Sequence, residues 1–512
     1  MSPAGRGFDL SGFLKIVDSA GRPIRASSVF TGAHEGASTG RRLGYWGLSG
    51  AGANAALFSS LGSLRSRSRE MVRNNPLAEG AEDAWVSNLI GTGISPRVQL
   101  EDPGLKREIQ ELWEDWVPEA DADGRQDFYG LQTVGARALF HDGEFLARLL
   151  PRDPAEGLAV PLQIQILEAD HLDHTYNTQA QNGNQIRMGI EVDGQARRVA
   201  YYLFRDHPGE MFPMQNITRV PVPAGSVAHV FESLRPGQLR GKPRMASVII
   251  KLKDIDECDD AELVRRKTTA MFGGFFTETG EGPETDLDAA GQLLGPASEL
   301  SAALPAMEPG TFSKLPRGLD VKFSEPKDVS GSYVGWIQHN LRAVARGMGI
   351  TYEQLTGDLT GVNYSSIRAG LLEFRRRIKR LQFQVMAHQF CRPVFNAWLD
   401  AAVLSGALRI PNYNTRTRRV YRRVEWRPDG WEWVDPQKDG RAAKDAVRNG
   451  FKSRAQFVAE SGGDVDVVDR EMAEDNARAD GLGLVLDTDP RKTTYQGTAA
   501  KQEEDGEREG DS

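Results

Sequence analysis

Apolar residues along this chain recur in two rhythms, one helical and one of period two, and the changes between them predict its elements. Asn75 before Pro76 reads as an N-cap and first-turn pair. It opens a helix through Trp85, Asn88 and Leu89 that stops at Gly91. A helix from Pro103 carries Leu105, Ile109, Leu112 and Trp113, and a third covers 128–140. The period then drops to two. Residues 144–150 read as a strand after the Asp142–Gly143 turn, and Leu162, Ile164 and Ile166 alternate with Gln163 and Gln165. Residues 185–192 and 197–204 flank Asp193–Gly194, a hairpin signal.

From Met245 the pattern is helical again, with Met245, Val248, Ile249, Leu252 and Ile255 on one face and Gly273–Gly274 as the stop. Residues 311–323 suggest a short hairpin. Val334, Ile337, Leu341, Val344 and Met348 mark another helix, broken around Gly347 and Gly349. After a loop over 351–362, Asn363 is the expected N-cap of a long helix. Ile367, Leu371, Phe374, Ile378, Leu381 and Val385 stripe it, and Pro393 should kink or interrupt it. Residues 416–433 read as extended. Asp435–Pro436, Ser453 with Gln456, and Asp464 each open a short helix. The expected class is α+β with antiparallel strands.

Composition narrows the functional classes. The chain has 512 residues, enough for several domains. Its net charge of −8 argues against a general nucleic-acid binder, though not against a ring that DNA passes through. Cys258 and Cys391 are the only cysteines, so a reducing compartment without a disulfide framework is expected. No apolar run reaches membrane-spanning length, and the N-terminus lacks an apolar signal core. A cytoplasm or an assembled particle is the expected location. Residues 1–60 read as a flexible arm, 281–306 as an exposed insertion, and the charged end beyond 487 as a disordered tail.

Enzyme motifs are near misses. Gly237 to Lys242 (GQLRGK) has the wrong glycine spacing for a phosphate-cradling loop and is followed by Pro243. The GxGxxA string at Gly50, Gly52 and Ala55 has no strand before it. Asp170, His171, Asp173 and His174 form the densest metal-like cluster, which a polar loop after a strand explains as well. Nothing supplies a nucleophile–base pair, so no catalytic residue and no cofactor are expected.

The stretch Leu355 to Glu373 (LTGDLTGVNYSSIRAGLLE) resembles the signature of the lambda-like family of bacteriophage portal proteins. Further blocks follow the family's order: Arg69 to Ala78 (REMVRNNPLA), Leu234 to Pro243 (LRPGQLRGKP), Leu252 to Ala261 (LKDIDECDDA), Trp433 to Pro436 (WVDP) and Gly483 to Asp487 (GLVLD). The two ends and 281–306 depart from the pattern, so nothing carries over there. The resemblance implies an α+β portal fold in a ring oligomer, a dodecamer in this family. Its parts would be a flexible arm (1–60), an α/β wing (61–243), stem helix 1 (244–272), a clip (273–328) and stem helix 2 (329–349). A tunnel loop (350–362), a long wing helix (363–402), a wing β return (403–435), a helical crown (436–485) and a disordered tail (486–512) would complete it.

The same resemblance implies a non-enzymatic conduit at the capsid portal vertex of the virion, assembled in the host cytoplasm, through which the genome is packaged and ejected. Implied partners are double-stranded DNA passing without sequence preference, the major capsid protein, the terminase large subunit and head–tail adaptor or neck proteins, with no membrane. Gly357, Asp358, Leu359, Thr360, Gly361 and Val362 would form the DNA-facing loop. Asp254, Asp256, Glu257, Asp259, Asp260 and Glu262 are channel-lining candidates, since acids facing a lumen repel phosphate. Arg265, Arg266 and Lys267 are candidates for pairing with a neighbouring subunit. Arg375, Arg376, Arg377, Lys379 and Arg380 could neutralise acids across an interface or touch phosphate, the interface being preferred. A metal-dependent DNA-processing enzyme using His171 and His174, and a prophage-derived scaffold of the same fold, are the alternatives.

Overall fold

The computed structural model describes residues 47, 49–210, 218–270, 274–278, 319–323, 330–431, 435–486, 489, 491 and 492. The chain divides into two units, Met1–Ala56 and Leu57–Ser512. Most of the first, the 281–306 insertion and the tail beyond 492 lie outside the described residues. In chain order the helices are α1 (Ala53–Phe58), α2 (Leu61–Asn74), α3 (Pro76–Ile90), α4 (Pro103–Trp116), α5 (Phe128–His141), α6 (Ile249–Ala270), α7 (Ser330–Met348) and α8 (Tyr352–Thr356). They continue with α9 (Tyr364–Leu381), α10 (Arg392–Ser405), α11 (Arg418–Tyr421), α12 (Pro436–Arg448), α13 (Arg454–Glu460) and α14 (Val465–Leu482).

Among the described residues the named strands all pair antiparallel. The strand β2 (Glu144–Pro151) is central between β3 (Leu162–Leu167) and β9 (Val227–Phe231). A meander joins β4 (Thr178–Gln179), β5 (Gln185–Arg187), β6 (Ile190–Val192), β7 (Arg198–Phe204) and β8 (Arg219–Pro223). The first strand, β1 (Ser95–Val98), pairs with β12 (Val424–Arg427), returning the late chain to the early body. The mixed helix-and-sheet class agrees with the expectation.

Capping chemistry explains several boundaries. The Asn75 side chain accepts from the Leu77 and Ala78 amides, with Pro76 in the first turn of α3. Asn363 accepts from Ser366 to start α9. Ser453 and Gln456 form a reciprocal capping box on α13, and Asp464 caps α14.

Other expectations need correction. Residues 185–192 are not one strand but a hairpin, β5 and β6, turned by Met188 (φ 51°) and Gly189 (φ 82°). Residues 311–323 do not fold on themselves within the described part. Instead β11 (Leu319–Phe323) pairs with β10 (Gly274–Glu278), so Gly274 begins a strand. Helix α7 runs unbroken through Gly347 and stops at Gly349, where φ is +86°. The loop after it contains α8, capped by Thr351 and Gln354. Residues 418–421 are helical rather than extended.

At Pro393 the long helix changes type instead of ending. The interruption lies upstream, as a π-helical run over Gln382–Cys391 that continues into α10. In α-helical register the ring of Pro393 would clash with the Gln389 carbonyl, and wider turns shift that carbonyl away.

The main core joins α3, α4, α5, α9, the π-helical run and α10. Its centre is aromatic: Trp113 lies 4.9 Å from Trp116, 5.1 Å from Phe128 and 5.0 Å from Trp398, ring centre to ring centre. The Trp116 indole donates to the Leu162 carbonyl at 2.8 Å, tying this cluster to the central sheet. Among the described residues, no helix is long and apolar enough to cross a membrane. Cys258 is exposed, Cys391 is buried, and both are free.

Candidate functional site

The block Leu234 to Pro243 contributes to a buried ionic hub, and Arg69 of the first block lies beside it. Glu144 opens β2 and is fully buried. Its carboxylate accepts from Arg65 of α2, from Arg240 Nε at 2.7 Å, and from the Gly241 amide at 2.5 Å. Its other partner is His229 Nε2 of β9, at 3.0 Å. Arg240 also donates to the Met188 and Ala169 carbonyls, each at 3.1 Å. Burial alone would raise the Glu144 carboxyl, but Arg240, Arg65 and His229 hold it well below the usual range. Burial lowers His229 to about 4. Its Nδ1 has no partner, so a second ring proton would be stranded. Next door, Arg69 grips Asp142 through two bonds of 2.7 and 2.6 Å. The string that fails as a phosphate loop therefore supplies the arginine and the glycine amide of this hub.

Helices α6 and α7 bury only their adjoining ends. Met245, Val248, Ile249, Leu252 and Ile255 are all buried, as their spacing predicts. Beyond Ile255 no described residue of α6 is buried. On α7, Leu341, Val344 and Met348 are buried, while Val334 is 58% and Trp336 44% exposed. On the outer half of α6, Leu263 and Val264 are 51% and 61% exposed.

The six acids of α6 do not share a face. At 3.6 residues per turn they spread around the helix. Asp256 accepts from Asn75 at 3.3 Å. Asp259 accepts from the Tyr333 hydroxyl of α7, and burial together with that acid pushes the phenol up to about 12. Arg265 and Arg266 of the same helix hold Glu262 down to about 2. Glu257 faces Lys253 at 3.2 Å. Asp254 and Asp260 are exposed. Arg265 and Arg266 thus already serve their own helix.

The loop after α8 is shaped by its own groups. Gly357 and Gly361 adopt φ of +68° and +74°. Asp358 accepts from the Thr360 amide at 2.9 Å and hydroxyl at 2.5 Å, which lower its carboxyl. Leu359, by contrast, is 64% exposed. Along α9, Phe374, Ile378 and Leu381 are buried, as the stripe predicts. The arginine run splits. Arg375 lies over the Trp431 ring at 5.6 Å, and Arg380 meets Glu232 at 2.5 Å. Arg377 approaches Gly349 beside Arg244. Arg376 is almost fully exposed, 3.8 Å from Glu373, and Lys379 is exposed.

His171 and His174 do not converge on a shared ligand position. His171 Nδ1 lies 3.1 Å from the Phe204 carbonyl, Asp173 is held by Arg219 at 2.7 Å, and His174 packs near Gly62. The described group with metal-like spacing is instead Glu168, Asp170 and His207. Arg69 already reaches both of its acids, at 3.2 and 2.5 Å, and answers their charge. Sequence reasoning missed Arg65, Glu144, His229 and Arg240. The available signal was Arg65 on the buried stripe of Leu61, Ser68 and Met71, and a glutamate heading a strand whose next three residues are all apolar.

A family model described as "Phage portal protein, lambda family" matches residues 39–382. The chain is 30% identical over 478 residues to the "Probable portal protein" of Halomonas phage phiHAP-1, covering 90% of each. It is 23% identical over 494 residues to "Portal protein B" of Escherichia phage lambda, covering 89% of this chain and 91% of that protein. A chain in the solved structure "Neck of empty GTA particle computed with C6 symmetry" has a TM-score of 0.48 and 13% identity, over 81% of this chain and 95% of that one.

Proposed function

Because this chain belongs to the lambda family of phage portal proteins, we propose that identical copies close into a ring, a dodecamer, whose axial hole conducts double-stranded DNA into and out of the capsid. The observation that carries this reading is the half-buried pair α6 and α7. Each packs into the core at one end and leaves Leu263, Val264, Val334 and Trp336 exposed. A neighbouring subunit would cover that apolar surface, as large oligomeric interfaces require. On this reading α6 and α7 are the two stem helices, 273–328 the clip between them, and 436–485 the crown.

Within the ring, the exposed Asp254, Glu257 and Asp260 are the acids proposed to line the lumen. Acids there oppose the counterion release that makes DNA stick to basic channels. Leu359 and Thr360 form the tip that approaches the duplex, with Asp358 holding the turn. Arg376, Lys379 and Lys267 are the cations left to pair across the subunit interface. The ring serves as a structural platform in the virion, at the portal vertex. A separate terminase ATPase drives translocation, and the major capsid and neck proteins dock around it.

Negative-stain imaging of the purified protein tests the ring: particles with an axial opening are expected, and a solitary monomer at micromolar concentration overturns it. Deleting Asp358 to Thr360 should leave rings intact while packaging or genome retention fails. Normal packaging by that variant removes the loop from the DNA path.

A further inference from the structure

The arginines of 416–423 take no part in that reading, and α11 divides them in two. Arg418 and Arg422 turn back on Asp400 of α10, at 3.7 and 2.5 Å. The Tyr413 hydroxyl donates to the same carboxylate at 2.5 Å, and Arg422 also reaches the Asn396 carbonyl at 3.4 Å. This frame fixes the short helix against α10. Arg392, Arg416, Arg419 and Arg423 are exposed, and no ion pair engages them among the described residues. Arg392, Arg419 and Arg423 border an open hollow of about 550 Å³, together with the two framing arginines. The one carboxylate on its wall, Glu425, already pairs with Arg427 at 3.1 Å. A dense positive field therefore stands on a chain whose net charge is −8.

We propose that this hollow binds the sugar–phosphate backbone of duplex DNA, at a place distinct from the stem and the loop. The cations are all arginines, whose planar fork of donors matches phosphate oxygens. Val424 is the only apolar residue on the wall, so the aromatic or aliphatic anchors that dominate protein–protein contacts are missing. Gln99, Asn396 and Thr415 add neutral hydrogen-bonding groups of the kind that contact a backbone without reading sequence. The inference rests on the family reading for the presence of duplex DNA, and on the arginine frame for the contact itself.

The test uses the full-length protein, a mixed-sequence DNA duplex and fluorescence anisotropy across a salt series. Arg419→Glu with Arg423→Glu is the main variant, and the double alanine change is its milder control. Both positions lie outside the Asp400 frame, and circular dichroism with particle imaging verifies fold and assembly. Losing two phosphate contacts should reduce the slope of log K against log salt by about 2, and the affinity near 0.1 M salt by about tenfold or more. Unchanged slope and affinity overturn the proposal. So does binding of the acidic peptide 493–512, in place of duplex, that the substitutions abolish, because the hollow would then be a protein-docking surface. The variant lacking Asp358 to Thr360 should bind duplex like the parent. If that deletion alone abolishes binding, DNA contacts only the channel, and the arginine proposal fails while the conduit reading stands.

Discussion

His229 shows how one buried residue can report on a whole network. Its ring stays neutral because it is buried away from water, because two arginines already neutralise Glu144, and because a proton on Nδ1 would have no acceptor. A histidine whose folded pKa falls from 6.5 to about 4 takes up protons in the unfolded state first. Stability from this group is therefore complete above about pH 6.5 and is lost as pH drops toward 4. Burial also lowers His171 and His174, which act in the same direction. Urea unfolding midpoints should decline steadily from pH 7 to 5, and a flat profile would contradict a neutral His229. Replacing Glu144 by Gln leaves Arg240 buried without its counter-charge and Arg65 with only Asp170, 3.5 Å away. That change should cost about 3–5 kcal/mol, seen as a large fall in thermal stability or loss of soluble protein. Local pattern could flag Arg65 and Glu144 as charges at buried positions but not their pairing, because the partners come from positions 65, 144, 229 and 240, and a one-dimensional period carries no information about such distant contacts.

At the scale of elements, legibility followed the locality of the cause. Asn75, Asn363, Ser453 and Asp464 cap their helices through bonds to residues a few positions on, so short sequence windows sufficed. The β5–β6 hairpin escaped because its left-handed turn falls on Met188, outside the usual Asn–Gly or Asp–Gly pairs. The π-helical run escaped because its apolar positions fit an α stripe equally well. Gly143 illustrates a tertiary constraint on an element end: φ is +86°, and a methyl group there would collide with the backbone of Lys242 and Pro243. Gly143→Ala should destabilise by about 3 kcal/mol in denaturant titrations, combining strain with overpacking. On α9, Arg376→Glu with Lys379→Glu should weaken ring assembly about tenfold in sedimentation experiments while leaving subunit folding intact. Arg375 and Arg380 have partners within the chain, so reversing those two should damage the subunit itself. Rings of unchanged stability with glutamates at 376 and 379 would assign those residues a role away from the interface.

For the whole molecule, the ordered sequence blocks identified the family, while no block revealed the arrangement that unites them. The aromatic cluster draws Trp113 and Trp116 from one end of the chain and Phe390, Phe395 and Trp398 from the other. Those contacts are long in sequence, and periodicity could give only the face each residue occupies. The acids of α6 teach a related lesson. Their crowding in sequence suggested one charged wall, yet helical geometry disperses them and neighbours occupy several. Assembly should therefore respond to Asp254, Glu257 and Asp260 differently from Asp259. Neutralising the first three should slow or stall DNA passage in intact rings, measured by packaging in vitro, whereas Asp259→Ala should loosen the α6–α7 contact. Equal effects from both changes would argue against a division of the six acids.

The short pairing of Gly274–Glu278 with Leu319–Phe323 has a practical consequence. Chain that departs after Glu278 comes back at Leu319, its directly opposite partner, so the two exits form a fixed doorway. Because 281–306 reads from its composition as an exposed insertion, foreign sequence added there should cost little closing entropy, which grows only slowly with length. A fluorescent reporter or affinity handle carried there would mark every subunit once, offering a way to count copies in single particles by stepwise photobleaching.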